Sequence, residues 1–256
     1  MTDKDQPFSQ AEFDRRVART REAMERAALD AIFITDPSNQ NWLTAYDGWS
    51  FYVHQGVILR RDGDPIWWGR YMDMLGGRRT CWMQDENILG YGDEYVQSTE
   101  RHAMQDLANR LRDLGLEKAR IGVEMENYYY SAKAHAVLTE ELPQATLVDA
   151  TALVNWQRII KSEEEIGFIR RAARISEKVV QTAVDHARPG LRKNELVAEI
   201  VHAGITGVDE DWGDYPAIIP LTPSGLDATA AQLTWNGNEM RAGEATFFEL
   251  SGVYRR

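Results

Sequence analysis

The residue of this chain best suited to chemistry is Glu249, which lies in a short apolar run near the carboxyl end of the sequence. The run at 245–250 lies between two glycines, a pattern that predicts a buried strand entered through a turn. Because side chains of a strand alternate between its faces, Glu249 should share a face with Ala245 and Phe247 rather than with other charges. A carboxylate held in an apolar pocket can act as a nucleophile or a general base. An exposed glutamate at a strand end is the alternative explanation of the same pattern.

A second feature that can bind a ligand is the aromatic-rich stretch at 41–52, which lies between two predicted strands. Most aromatic rings belong to a hydrophobic core, and core packing explains some of the rings in this stretch. The others can line a pocket, because the face of an aromatic ring attracts a flat cation. The candidates for this aromatic wall are Tyr46, Trp49, Phe51 and Tyr52.

The histidines and the cysteine do not form a recognisable site. The five histidines lack HxxxH spacing, and Cys81 is the only cysteine, so the sequence has neither a zinc motif nor an internal disulfide. A lone cysteine favours a reducing compartment. Each histidine is explained most simply as a structural or surface residue, although His54 lies near the aromatic stretch and can donate a hydrogen bond to a bound anion.

The composition restricts the classes of partner. Of the 256 residues, 43% are hydrophobic and 27% are charged, as in an ordinary folded protein of one large domain or two smaller ones. The net charge of −11 disfavours nucleic acid and anionic membranes as partners, because both would repel it. No apolar run approaches the roughly 18 residues that a membrane span needs, so we expect a cytoplasmic protein.

The elements that must position these residues begin with an alternation of strands and helices. The predicted strands are short and apolar and cover residues 31–35, 56–59, 65–68 and 119–124, of which the second and third form a hairpin. The predicted helices follow capping or amphipathic patterns and cover residues 9–29, 98–114 and 131–142. This alternation predicts an α/β layer structure for the first half of the chain.

A domain boundary is predicted near residues 155–162, where a new helix begins. Ser162 and Glu165 form a capping box, and a second helix is expected over 193–203. The apolar face predicted for the first of these helices consists of Ile166, Ile169, Ala173, Ser176, Val180, Ala183 and Val184. Residues 217–220 look strand-like, and only six residues follow the final strand at 244–250, so we expect part of its sheet to be missing.

Several motifs, taken in order and spacing, resemble the pita-bread family of creatinase, prolidase and aminopeptidase P. They are the run RIIKSEEEI at 158–166, the alanine pair at 172–173, the Pro-Gly turn at 189–190, Glu195 in the second helix and MRAGE at 240–244. The resemblance implies an α/β amino-terminal creatinase-like domain over 1–155. It implies that 156–256 form the first part of an α+β pita-bread catalytic domain, truncated at its carboxyl end. Members are typically homodimers in which the amino-terminal domain helps to close the partner's active site.

Two departures from the metallopeptidases of the family fall at chemical positions. Those enzymes carry Asp-x-Gly on the final strand, whose aspartate is the first ligand of a two-metal site, whereas here the matching residues are Glu249 and Ser251. The substrate-side histidine of the family corresponds to Gln232 or a neighbour, and glutamine cannot exchange a proton near neutral pH. The resemblance therefore implies a metal-independent branch, with no metal ligands, no cofactor and Glu249 as the catalytic residue.

Within that branch, the runs at 233–243 and 247–256 and the aromatics around Trp49 most resemble enzymes that open the cyclic amidine of ectoine to N-acetyl-2,4-diaminobutyrate. Glu249 would attack the amidine carbon or deprotonate the attacking water. A flat amidinium suits aromatic faces and a carboxylate, and hydroxyectoine is a further candidate substrate. The residues expected to bind the substrate are Tyr46, Trp49, Phe51, Tyr52, Gln232 and Trp235.

Two other functions stay open at this point. A metal-dependent Xaa-Pro peptidase would need carboxylate and histidine ligands beyond Arg256, and a chelator would abolish its activity. A catalytically inactive pita-bread module would bind peptides or partners and show no turnover. The absence of the histidine and of Asp-x-Gly is also what decay of an enzyme would leave.

Overall fold

The computed structural model of the chain describes residues 6–255. It divides into two compact units, the first ending at Ile160 and the second beginning at Lys161. Over the described residues, no helix combines the length and the apolar character needed to cross a membrane.

The amino-terminal unit is built on a mixed sheet of six strands. In chain order they are β1 (Ala31–Ile34), β2 (Gly56–Arg60), β3 (Ile66–Arg70), β4 (Ile88–Tyr91), β5 (Arg120–Val123) and β6 (Thr146–Asp149). Their order across the sheet is β4-β3-β2-β1-β5-β6, with β2 antiparallel to both neighbours and the other pairs parallel. The four predicted strands and the hairpin are confirmed, whereas β4 and β6 were not predicted.

Six helices accompany this sheet. They are α1 (Gln10–Arg26), α2 (Pro37–Thr44), α3 (Tyr71–Thr80), α4 (Ala103–Asp113), α5 (Ala132–Glu141) and α6 (Leu153–Arg158). Helix α4 begins five residues later than the 98 predicted, because the ring of His102 caps it by accepting a hydrogen bond from the Met104 amide at 3.2 Å. Helix α2 was not predicted, although Asp36 caps it and Pro37 opens it.

Alternation along the strands produces a hydrophobic core on each face of the sheet. Phe33 of β1 packs into the cluster formed with α4 and α5, together with Trp68 of β3. The adjacent Ile32 and Ile34 point to the opposite face and pack with Trp67 in a second cluster. Both faces of the sheet are thus covered, which explains why its central strands are apolar throughout.

A buried carboxylate joins the carboxyl ends of the parallel strands β1 and β5. Glu124 is only 2% exposed, and its Oε2 accepts hydrogen bonds from the backbone amides of Thr35 at 2.6 Å and Asp36 at 2.8 Å. Its Oε1 accepts from Asn39 Nδ2 at 2.8 Å, and Asn39 Oδ1 accepts from Arg158 Nη1 at 2.7 Å. Burial raises the pKa of Glu124, and the hydrogen bonds oppose that rise. One side chain therefore links β1, β5, α2 and α6.

The carboxyl-terminal unit contains two packed helices, α7 (Glu163–His186) and α8 (Lys193–Thr206). The predicted capping box is confirmed, since the Glu165 amide donates to Ser162 Oγ at 3.2 Å and the Ser162 amide donates to Glu165 Oε2 at 2.7 Å. The helices pack through a cluster that contains Ile175, Val179, Ala183, Leu196 and Ile200.

The apolar face predicted for α7 is wrong at four of its seven positions, whereas Ala183 is buried and Ile166 and Ser176 are half-buried. Ile169 and Val180 are each 47% exposed and Val184 is 59% exposed, whereas Ile175 and Val179 are buried. Helix α7 carries apolar residues on two faces, and a periodic pattern alone does not identify which of them meets the neighbouring helix.

Neither strand predicted after α8 forms a regular strand in the described residues. Residues 221–225 instead run antiparallel to residues 245–249, with bridges of Leu221 to Glu249 and of Ser224 to Thr246. Two more hydrogen bonds join these stretches, from the Phe247 amide to the Pro223 carbonyl and from the Gly225 amide to the Ala245 carbonyl. A strand becomes regular when a continuous ladder of backbone hydrogen bonds forms along it, and here the pairing is interrupted. The segment at 217–220 lies outside both bridges.

The network around Glu124 gives the first testable prediction. In Glu124→Gln, one of the two oxygens is replaced by an NH₂ group, which must face a hydrogen-bond donor. We expect the free energy of unfolding to fall by about 1–3 kcal/mol, as for a buried polar group left without its partner. Chemical denaturation at neutral pH measures it.

Glu126→Gln is the matched control, because Glu126 is exposed on the same loop. Its free energy of unfolding should change by less than about 0.5 kcal/mol. Equal effects of the two substitutions would show that the network of Glu124 does not stabilise the fold.

Candidate functional site

Glu249 lies on an extended segment whose backbone pairs with a second segment. Its amide donates to the Leu221 carbonyl at 3.0 Å, and the Leu221 amide donates back at 3.1 Å. Phe248 and Leu250, on the opposite face, pack against the core of α7 and α8. Since neighbours in an extended chain point to opposite sides, the carboxylate of Glu249 points away from that core.

The backbone beyond the candidate catalytic residue is fixed to α7. The amide of Gly252 donates to Ser176 Oγ at 2.9 Å. A Cβ at Gly252 would collide with the backbone of Ser176, so only glycine permits this approach. Arg171 Nη1 donates to the hydroxyl of Tyr254 at 2.7 Å. The segment is therefore held in place on both sides of the carboxylate.

The expectation that Glu249 is buried is wrong. Its side chain is exposed, Phe247 on the same face is half-buried and Ala245 is exposed. The backbone alternation is as predicted, but within the carboxyl-terminal unit no described segment covers this face. The carboxylate therefore meets solvent.

Glu249 and Ser251 stand where the metallopeptidases carry Asp-x-Gly. Among residues 6–255 no group of three histidine, cysteine, aspartate or glutamate side chains is arranged to hold a metal ion. Glu249 and Ser251 supply one carboxylate and one hydroxyl where a two-metal site needs several anionic ligands.

The two substrate residues predicted on the preceding loop, Gln232 and Trp235, are both exposed. Their loop is tied to the start of α8, where the Lys193 amide donates to the Asn238 carbonyl at 3.0 Å and Lys193 Nζ pairs with Asp227 at 3.1 Å. The Thr222 amide donates to the Thr234 carbonyl at 3.4 Å. This loop therefore lies beside the segment that pairs with Glu249. Neither predicted side chain is hydrogen-bonded to Glu249.

Tyr46, predicted as part of the aromatic wall, is instead buried in the core and anchors the aromatic-rich stretch at 41–52. It is 3% exposed, and its ring centroid lies 4.6 Å from that of Trp67 in the core. Its hydroxyl and Ser50 Oγ share a hydrogen bond of 2.6 Å, and Ser50 Oγ donates to Gln55 Oε1 at 2.6 Å. Contact between Tyr46 and a substrate is therefore not supported, because its hydroxyl and ring are both occupied within the protein.

The other three predicted wall residues form an aromatic cluster. Trp49 and Tyr52 are each 62% exposed, and the Trp49 ring centroid lies 5.0 Å from Phe51 and 5.9 Å from Tyr52. Phe51 also contacts Tyr129, with 5.6 Å between ring centroids. This cluster belongs to the amino-terminal unit, whereas Glu249, Gln232 and Trp235 belong to the carboxyl-terminal unit.

The sequence reasoning missed a cleft of about 440 Å³ behind Phe51 and Tyr52. His54 and three separate tyrosine-bearing segments line it. Burial and the neighbouring His102, whose ring centroid lies 4.8 Å away, lower the pKa of His54 to about 4. The tyrosine run at 128–130 is the signal in the sequence that points to this cleft. Tyr130 is buried, whereas Tyr128 and Tyr129 line the cleft.

A mixed sheet with helices on both faces, followed by a helix pair and a carboxylate-bearing extended segment, is the architecture of the first part of a pita-bread protein. The family model of the Creatinase/Prolidase N-terminal domain matches residues 16–160, and the chain belongs to this family. The predicted resemblance and fold class are confirmed.

Relatives and solved structures agree with this assignment. The chain is 47% identical, over 98% of its length, to the ectoine hydrolase of Halomonas elongata, and 42% identical, over 83%, to an uncharacterised hydrolase/peptidase of Sinorhizobium fredii. A prolidase from Thermococcus sibiricus superposes on 96% of the chain with a TM-score of 0.74 and 16% identity, which shows the fold alone. The chain spans 64%, 54% and 63% of the lengths of these three proteins.

The hydrogen bond of Tyr46 generates a prediction about the aromatic segment. In Tyr46→Phe, Ser50 loses one partner, so we expect the free energy of unfolding to fall by about 0.5–1.5 kcal/mol. Amide hydrogen exchange at 47–55 should become faster, as measured by mass spectrometry. Tyr52→Phe is the control, because the Tyr52 ring is largely exposed. Unchanged exchange in Tyr46→Phe would contradict the supporting role.

The lowered pKa of His54 generates a prediction about pH. The folded protein keeps His54 neutral down to about pH 4, whereas an unfolded chain binds the proton near pH 6.5. The unfolded chain binds more protons in between, so the contribution of His54 to stability is present above about pH 6.5 and is lost as the pH falls toward 4. His54→Asn should show a flatter decline of unfolding free energy over this interval, measured by denaturant titrations at several pH values.

His202→Asn is the matched control, because His202 is exposed on α8. Its stability should follow the pH profile of the unchanged protein. If the profile of His54→Asn does so too, then His54 titrates in the folded protein as it does in the unfolded chain.

Proposed function

We propose that this chain is part of a hydrolase that opens the cyclic amidine ring of ectoine to N-acetyl-2,4-diaminobutyrate. The observation that carries this proposal is the 47% identity to the ectoine hydrolase of Halomonas elongata over 98% of the chain. Hydroxyectoine is a second candidate substrate. In this proposal the enzyme is cytoplasmic and needs neither a metal nor another cofactor.

Glu249 is the residue to which we assign the chemistry. Ring opening adds one water to the amidine carbon and breaks one of its C–N bonds. Glu249 can attack that carbon directly, forming an adduct that water then hydrolyses, or it can deprotonate the water that attacks. Its position supports either role, because the carboxylate points away from the helix core and its backbone is held at Leu221 and at Gly252.

The aromatic cluster of Trp49, Phe51 and Tyr52 is the proposed substrate wall. Its exposed rings can stack on a flat amidinium ion, and an aromatic face attracts such a cation by about 0.5–2 kcal/mol. In the proposed homodimer, this cluster of one subunit completes the active site of its partner. Gln232 and Trp235, exposed on the loop before Glu249, are the proposed substrate contacts from the carboxyl-terminal unit.

The two alternative functions have less support. The solved prolidases share the fold, but Glu249 and Ser251 replace the Asp-x-Gly of the metallopeptidases and so depart from their ligand pattern. A binding module without activity would retain the fold and lose the chemistry, but nothing in the described residues favours a peptide ligand. Turnover of the substrate separates the three.

The test is proton NMR of ectoine incubated with the complete gene product after exhaustive chelation, with a Xaa-Pro dipeptide in a parallel sample. We expect ectoine to open without metal and the dipeptide to stay intact. Cleavage of the dipeptide alone, and only after metal is restored, would identify a peptidase. No turnover of either compound would favour the binding module.

Glu249→Gln tests the assigned residue. We expect it to lower the rate of ring opening by at least about 10³-fold, since removal of an acid–base group or nucleophile costs this much or more, while the unfolding curve stays unchanged. Glu239→Gln is the matched control, because Glu239 is exposed and lies ten residues earlier in the same unit. A near-normal rate in Glu249→Gln would remove this residue from the mechanism.

A further inference from the structure

The cleft of the amino-terminal unit is lined by uncharged side chains. Its described lining consists of Phe51, Tyr52, Val53, His54, Tyr91, Tyr95, Val96, Gln97, Ala103, Tyr128, Tyr129 and Ser131. Half of these residues are phenylalanine or tyrosine. Because the pKa of His54 is about 4, its ring is neutral near pH 7 and supplies no positive charge. The lining also contains no lysine or arginine, the side chains that would bind an anion.

The rings of the cleft form two edge-to-face pairs. Phe51 and Tyr129 lie 5.6 Å apart between centroids at 67°, and Tyr91 and Tyr95 lie 6.3 Å apart at 89°. Tyr91 is buried, and its hydroxyl donates to the His54 carbonyl at 2.8 Å, so it forms the floor. Its hydroxyl is occupied within the protein, and the cleft volume of about 440 Å³ lies in the size range of small-molecule sites.

The electrostatic surroundings of this floor are acidic. Burial is the largest cause that raises the pKa of the Tyr91 phenol. The carboxylates of Asp73, Asp93 and Asp106 raise it further, and Arg70 opposes them. Arg70 is paired with Asp93 at 2.7 Å. Asp73 Oδ2 is buried without a hydrogen-bond partner, which leaves its charge uncompensated by a donor at that atom.

A cation is thus favoured both locally and by the protein as a whole. The net charge of −11 raises the concentration of cations near the surface. Aromatic faces attract cations through their quadrupole, most effectively where water is excluded. Arg101 near Tyr95 does not compete strongly, because it is exposed and lies 3.8 Å from Glu94.

We propose that this cleft binds a small organic cation whose charge is spread over a flat or methylated group, such as an amidinium or a quaternary ammonium ion. The rings of Phe51, Tyr95 and Tyr129 provide the faces that contact the cation. The site is formed by the amino-terminal unit alone, between residues 51 and 131, and does not include Glu249. It shares Phe51 and Tyr52 with the proposed substrate wall, but binding here requires no reaction and is measured with probes other than ectoine.

The test is ligand-observed NMR of acetamidinium and tetramethylammonium with the complete gene product at constant ionic strength. Acetamide, which is neutral and close to acetamidinium in shape, is the control ligand. We expect both cations to bind and acetamide to bind at least about 10-fold more weakly. Equal binding of acetamide would overturn the proposal, because charge would then contribute nothing.

Variants locate the site. Tyr129→Leu should weaken binding of the cations by about 3- to 30-fold, because one ring face is lost, whereas Tyr129→Phe should bind almost as well. Tyr71→Leu is the matched control, since Tyr71 is an exposed tyrosine outside the cleft. A loss in Tyr129→Phe equal to that in Tyr129→Leu would assign binding to the hydroxyl instead of the ring.

Glu249→Gln separates this site from the proposed catalytic one. We expect cation binding to persist in this variant even if it no longer opens ectoine. Loss of cation binding in Glu249→Gln, with none in Tyr129→Leu, would place the cation in the other unit and overturn the proposal. Because the probes are not ectoine and binding is the readout, failure of the ring-opening test leaves this test intact.

Discussion

The amino-terminal unit depends on the removal of one carboxylate from water. Glu124 is buried where β1 and β5 end, and an ionised group in that position is costly unless donors surround it. Two backbone amides and Asn39 supply those donors, so the two strand ends and the start of α2 must come together for the charge to be stabilised. Helix α2 ends at Thr44, and the aromatic residues at 46–52 follow it. The buried carboxylate of Glu124 therefore helps to fix the point from which the proposed substrate wall starts.

The two units differ in how completely their apolar surfaces are covered. The sheet carries a hydrophobic cluster on each face. In contrast, α7 is apolar on two faces, and only the face that contains Ile175 and Val179 meets a neighbour among the described residues. Apolar residues on both sides of a helix are typical of a helix that is buried. The exposed apolar face of α7 and the exposed face around Glu249 both belong to the carboxyl-terminal unit. The chain spans 64% of the length of its Halomonas elongata relative.

The sequence predicted those elements whose signals are local. Ser162 and Glu165 form their capping box whatever surrounds the helix, and the strands with continuous apolar runs were located within two residues. Helices α2 and α3 lack a clear periodic pattern. Strands β4 and β6 are the two edges of the sheet, and each has only two consecutive aliphatic residues, so none of these four elements was predicted. Burial of Tyr46 and the cleft around His54 arise from residues far apart in sequence. No local pattern contains that information.

The position of Glu249, the proposed catalytic residue, illustrates what a segment of chain can supply by itself. Pairing with Leu221 and anchoring at Gly252 fix the backbone that carries the carboxylate, but the side chain stays exposed to solvent. Reactivity requires that water be displaced by a surface that also tolerates a cation. Aromatic rings do both, since they exclude water and attract positive charge through their faces. This is the physical basis on which the exposed rings of Trp49 and Tyr52 are proposed as a substrate wall.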